Sequence, residues 1–153
     1  MAFKVMTTNG GPHSAADWAV ATAEFLVDID ASVTGERLIA AKKLQAAVAE
    51  ALLPHHTRVQ ENERAAIAAA GDDHLSTPMD SHTEAEATFE IVKNLAKGTP
   101  WEWHFERVDV RREAIETIIQ HTNTSKHIER RWHAQRNRGS MKVEAWLAQH
   151  NAN

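Results

Sequence analysis

The sequence predicts an all-α fold, a single-domain bundle of six or seven helices around a long central helix at about residues 100–121. Three observations predict this class. Apolar residues recur at three- and four-residue spacing in most segments, Gly and Pro lie mainly between these segments, and no stretch shows the pattern of paired strands. A chain of 153 residues can bury a sizeable core without disulfides or metals. We expect an N-terminal arm at 1–13 and one helical domain at 14–153.

The first half of the chain carries clear helix boundaries. Ser14 is a good N-cap, Pro54 should kink the chain or restart a helix, and Gly71 suits the position after a helix C-terminus. The first three helices are therefore expected at about residues 15–29, 36–53 and 55–70.

A fourth helix should begin after the capping box Ser81-His82-Thr83-Glu84 and end at Gly98. The central helix follows at once, because Thr99-Pro100-Trp101-Glu102 combines an N-cap, a first-turn proline and a capping glutamate. The two helices should form a tight αα-hairpin.

On a helical wheel the central helix has two apolar stripes and one acidic flank, so we expect it to be packed on two sides. The first stripe consists of Trp101, Phe105, Val108, Ile115 and Ile119. The second consists of Trp103, Val110, Ala114 and Ile118.

Two helices are expected after the central one. Thr122-Asn123-Thr124-Ser125 should end the central helix and cap a short basic helix, and Gly139 should end that helix in turn. A last helix would carry Val143, Trp146 and Leu147 on its apolar side.

Composition excludes several classes of function. The chain has no cysteine, so a disulfide framework and a cysteine nucleophile are excluded. The formal charge of −4 disfavours a general nucleic-acid binder, and no apolar run approaches the length of a membrane span. The N-terminus lacks the pattern of a secretory signal, so we expect a cytoplasmic protein with no membrane association.

The second apolar stripe is the candidate protein interface. If the chain's own helices do not cover it, the stripe becomes an exposed apolar patch of the kind that marks an interaction site. Arg112 interrupts the first stripe and should either extend into solvent or pair with a buried acid. The candidate interface residues are Trp103, Val110, Ala114, Ile118 and Arg112.

The acidic flank of the central helix consists of Glu102, Glu106, Asp109, Glu113 and Glu116. Several of these acids stand three or four residues apart, where like charges repel. The flank is therefore either fully solvated or faced by cations. The candidate cations are the segment 126–142, from the same chain or a neighbouring subunit, and a bound divalent ion. That segment has a net charge of +5.

The basic helix at 125–138 is the candidate nucleic-acid site, because a turn and a capped helix after the central helix could imitate a helix-turn-helix. The alternatives are a solvated helix, pairing with acids of the same chain, and binding of an acidic protein. The residues concerned are Lys126, Arg130, Arg131, Arg136 and Arg138.

Catalytic and cofactor motifs are absent from the sequence. It contains neither a His-Glu-x-x-His metal motif nor a Gly-x-Ser-x-Gly nucleophile motif, so we expect no cofactor and no metal. The favoured interpretation is a non-enzymatic interaction or assembly protein (an adaptor, inhibitor or structural component, possibly viral) with a protein partner or a homo-oligomeric state. A nucleic-acid-binding regulator and a metal-dependent helical enzyme are the alternatives.

Overall fold

The computed structural model describes residues 14–71 and 79–151, with side chains up to residue 134. These residues form helices and no strands, which confirms the all-α class. There are five helices in the described residues rather than six or seven: α1 (Ala15–Leu26), α2 (Gly35–Ala70), α3 (His82–Ala96), α4 (Glu102–Phe105) and α5 (Val108–Asn151). None of them is both long and apolar enough to cross a bilayer. The predicted arm at 1–13 lies outside the described residues.

Helix α2 continues through Pro54 instead of restarting there. Proline removes one backbone N–H from a helix interior, at a cost that tertiary packing can offset. Here the buried side of α2 continues on both sides of the proline, with Leu52 and His56 buried and Pro54 itself exposed. The packing of that side is therefore what joins the two predicted helices into one of 36 residues.

The predicted central helix at 100–121 is wrong at both ends. Its first turn is the separate four-residue helix α4, and the backbone N–H groups of Glu106 and Arg107 bond to carbonyls three residues back rather than four. These tighter turns place the Phe105 ring edge-on to Phe89, with centroids 6.1 Å apart. Phe105 is only 3% exposed, so its burial compensates for the interrupted helix.

Helix α5 then runs without interruption through Thr122–Ser125 and Gly139 to Asn151. The predicted stop fails because hydroxyl groups can bond inside a helix as well as cap one. Thr124 and Ser125 each donate to the carbonyl four residues earlier, at 2.8 and 3.0 Å. Their side chains are thus satisfied without ending the helix.

The core lies where α1, α2, α3 and α5 pack together. Helix α1 lies antiparallel to α2, because Trp18 stacks on His56 near the start of α1 and Gln45 bonds to the Val27 carbonyl at its end. Helices α2 and α5 run in the same direction, with α3 antiparallel to both. The largest apolar side chains that are fully buried are Phe89, Leu52, Val48 and Val92.

Pro54→Ala should stabilise the protein, because the exposed proline denies α2 one hydrogen bond. Proline costs a helix interior about 3 kcal/mol relative to alanine, and the greater freedom of the unfolded alanine chain offsets about 0.4–1 kcal/mol of that. We expect the free energy of unfolding, measured by urea denaturation, to rise by about 2 kcal/mol. Lys43→Ala, at another exposed position of α2, is the control and should change it by less than about 0.5 kcal/mol. An unchanged or lowered value for Pro54→Ala would contradict the explanation.

Candidate functional site

A layer of buried charge lies between α2 and α5. Arg130 Nε donates to Glu63 Oε1 at 2.5 Å, and the two side chains are only 5% and 7% exposed. One residue away on each helix, Arg64 Nε donates to Glu129 Oε1 at 2.6 Å. The carboxylate of Glu129 is buried, whereas Arg64 is half-exposed. Two adjacent ion pairs therefore tie the helices at one level.

Helix α3 joins this layer through its first turn. Lys126 Nζ donates to both carboxylate oxygens of Glu84, at 2.9 and 2.7 Å, and the lysine side chain is 9% exposed. Ser81 donates its hydroxyl hydrogen to Asn123 Oδ1 at 2.5 Å. The start of α3 is thus fixed to α5 by polar contacts where the apolar core ends.

The predicted nucleic-acid residues are separated by this arrangement. Lys126 and Arg130 lie in the buried ion pairs, on the side of α5 that faces other helices, and Arg131 is exposed. Of the alternatives for this segment, pairing with acids of the same chain is what the structure shows for Lys126 and Arg130. The side chains of Arg136 and Arg138 lie outside the described residues.

An open groove of about 220 Å³ separates the end of α1 from α4 and the first turns of α5. We call it the α1–α5 groove. Its polar lining comes from His104, Glu113 and Thr117. Its apolar lining comes from Phe25, Leu26, Phe105, Val110 and Ala114.

The candidate interface residues fall into three environments. Val110 and Ala114 line the groove, and Ile118 is buried in the core at 5% exposure. Trp103 is 64% exposed, beside the groove residue His104, with their rings edge to face at 6.3 Å between centroids. Arg112 is exposed and does not lie in the core. The second stripe is therefore covered at Ile118 and open at Trp103.

All five members of the acidic flank are exposed. Asp109 accepts two hydrogen bonds from Arg107, at 3.1 and 2.7 Å, and this guanidinium lowers the pKa of the Asp109 carboxyl. Glu106 lies 3.7 Å from Lys93 of α3. Local cations thus meet part of the flank, while Glu113 lies at the edge of the groove.

Burial makes two histidines, His55 and His121, harder to protonate, because it lowers the pKa of each imidazole. The Thr88 hydroxyl donates to the Glu84 carbonyl, so its oxygen accepts from His55 Nε2 at 2.9 Å. Burial lowers the pKa of His55, and it also lowers the pKa of His121, which packs edge-on to Phe25. In the part of the chain that the structure describes, neither imidazole lies in a cluster of metal ligands.

Sequence reasoning missed the residues that complete these features. Phe25, Leu26 and His104 line the groove, and Glu63 and Glu84 neutralise the buried bases. The sequence of α5 does contain one pattern that indicates the layer of buried charge. Positions 115, 118, 122, 126 and 129 continue one helical face at spacings of three and four, which places Lys126 and Glu129 on the buried side.

Among the described residues, no group of three His, Asp or Glu side chains is arranged to hold a metal ion. The chain matches no protein-family model, no curated protein and no solved structure.

Arg130→Met should destabilise the fold by about 3–5 kcal/mol, because it leaves the Glu63 carboxylate buried without its partner. Arg131→Met is the matched control, since the neighbouring side chain is exposed, and should cost less than about 0.5 kcal/mol. Urea denaturation monitored by circular dichroism measures both. The double variant Glu63→Met, Arg130→Met should recover much of the loss. Equal effects of the two single substitutions would contradict the burial argument.

Stability should rise with pH across the range in which His55 and His121 titrate. Because folding lowers the pKa of both groups, the unfolded chain binds more protons below the ordinary histidine pKa of 6.5. The stability that these two histidines contribute in their neutral form is fully present above pH 6.5 and is lost as the pH falls below it. The double variant His55→Gln, His121→Gln should show a smaller drop in unfolding free energy between pH 7.5 and pH 5.5. His127→Gln, which removes an exposed imidazole, is the control. A drop as large as that of the unaltered chain would refute the assignment.

Proposed function

We propose that the protein is non-enzymatic and acts by binding another protein chain, in assembly or regulation, through the surface around Trp103. The observation that carries the proposal is the 64% exposure of this indole. Tryptophan is a large apolar side chain that is enriched in the energetic centres of interfaces, and its exposure to water is unfavourable in an isolated chain.

The surroundings of Trp103 support the same function. Val108 is 74% exposed five residues further along the chain, and the α1–α5 groove begins at the neighbouring His104. A stable interface buries about 800 Å² on each partner, which is more than two side chains supply. We infer that the bound partner also covers the groove, with the acidic flank as the polar rim that sets register.

The location on α4 suits a binding element. The four-residue helix is anchored by Phe105, which is buried, while Glu102 and Trp103 on the same helix are exposed. A short helix that is anchored at one residue holds its exposed indole in a defined position, which lowers the entropy lost on binding.

Trp103→Ser should weaken the complex at least tenfold while leaving the helix content unchanged, because truncation of a central interface residue costs about 2 kcal/mol or more. Native mass spectrometry and sedimentation of the full chain, with identification of any co-purifying molecule, measure the effect. Ile39→Ser is the matched control, because Ile39 is 69% exposed on a different helix.

A chain that stays monomeric at all concentrations and retains no protein partner would refute the proposal. So would a Trp103→Ser variant that assembles like the unaltered chain. Nucleic acid that co-purifies and is released by salt would favour the alternative of a nucleic-acid-binding regulator.

A further inference from the structure

A small cavity lies at the layer of buried charge, where α1, α2 and α5 meet. Its volume is about 10 Å³, and five of its seven lining residues carry polar or charged side chains. Cavities with an apolar lining stay dry, whereas a polar lining favours a polar occupant. The lining residues are Trp18, Val59, Gln60, Glu63, Ser125, Lys126 and Glu129.

The volume of the cavity limits the size of its occupant. A water molecule needs about 10–15 Å³ of such space and two to four polar partners. Pockets for drug-sized ligands begin at about 300 Å³. The cavity, at about 10 Å³, is far below that size. Size therefore leaves a water molecule or a monatomic ion as the candidate occupant.

The two buried carboxylates beside the cavity can accept further hydrogen bonds. Arg130 donates to Oε1 of Glu63. Arg64 donates to Oε1 of Glu129, and His133 Nε2 lies 3.4 Å from the same oxygen. As far as the described residues are concerned, the Oε2 atoms of both carboxylates remain available to another donor. A buried ion pair is favourable only when its remaining lone pairs are also used, so the occupant should donate hydrogen bonds.

The lysine that lines the cavity makes the opposite demand. Its ammonium group has three N–H donors, and the two contacts to Glu84 account for two of them. The third donor of Lys126 is left for an occupant that accepts. The occupant should therefore both donate and accept hydrogen bonds, which water does. A metal cation cannot accept a hydrogen bond, and a halide ion cannot donate one.

The charges of the layer also favour a neutral occupant. Three acids and three bases pair there one to one, so these six side chains have a net charge of zero. An ion in the cavity would be buried without a compensating charge, which costs far more than burying a hydrogen-bonded neutral group. The pairs are Glu63 with Arg130, Glu129 with Arg64, and Glu84 with Lys126.

We propose that this cavity binds one water molecule, which donates to the carboxylates of Glu63 and Glu129 and accepts from the ammonium group of Lys126. The water completes the hydrogen bonding of the buried ion pairs. It also connects α2 to α5 at the level where Lys126 holds the first turn of α3. The site is separate from the surface around Trp103, so this proposal does not depend on the proposed function.

A crystal structure of the full chain at atomic resolution tests the proposal. It should show one occupant in the cavity, within about 3.2 Å of Lys126 Nζ and of at least one carboxylate oxygen of Glu63 or Glu129. Contact with both kinds of group identifies water. An occupant that contacts only the carboxylates is a cation, and one that contacts only the lysine is an anion. Either ion, or a cavity without any density, would overturn the proposal.

A pair of matched variants tests whether the water contributes to stability. Val59→Ile adds one methylene group at the cavity wall and should displace the water. Val20→Ile makes the same addition at an exposed position of α1 and should leave the water in place. Filling a dry cavity adds packing contacts and raises the urea midpoint, whereas displacing a hydrogen-bonded water lowers it.

We therefore expect a lower urea midpoint for Val59→Ile and an unchanged midpoint for Val20→Ile. Loss of the water density in Val59→Ile, together with the lower midpoint, would support the proposal. A midpoint raised by Val59→Ile would overturn it, because the cavity then gains from being filled. If Val59→Ile does not fold, the crystal structure of the unaltered chain still decides whether the water is bound.

Discussion

The buried pair of Glu63 and Arg130 is the constraint on which the arrangement of the long helices depends. Moving both charges out of water costs several kcal/mol for each ion, and only close geometry recovers that cost. A sliding of α5 along α2 by one turn would leave each charge buried without its partner. The second pair, between Arg64 and Glu129, lies beside the first and penalises the same displacement. The two pairs therefore specify register more than they add stability, as polar groups do in coiled coils.

The position of this layer follows from the unequal lengths of the helices. Where α1, α2, α3 and α5 are all present, four helices enclose a core of Phe89, Leu52 and Val48. Near the N-termini of α1 and α3, fewer helices surround α2 and α5. Less apolar area can therefore be removed from water there. The faces of α2 and α5 change there from aliphatic to charged side chains. Lys126 and Glu84 bring the start of α3 into the same network, so the apolar core ends at a polar boundary.

The sequence determines locally encoded features well and long-range pairing poorly. The N-cap at Ser14, whose hydroxyl accepts from the Asp17 N–H, and the core face of α2 follow from residue type and helical period. The hydroxyl residues at 122–125 suit a cap and a helix interior alike, and only tertiary contacts decide between them. The partners of Lys126 and Arg130 lie 42 and 67 residues away, so a local charge count finds an excess where the fold has neutral pairs. The groove needs Phe25 from α1 next to Ala114 from α5, which no local pattern contains.

Charge is distributed unevenly along α5. Asp109, Glu113 and Glu116 stand near its N-terminus, and Arg131, Arg136, Arg138 and Lys142 follow Arg130 in the sequence toward its C-terminus. This order complements the helix dipole and stabilises the helix by itself.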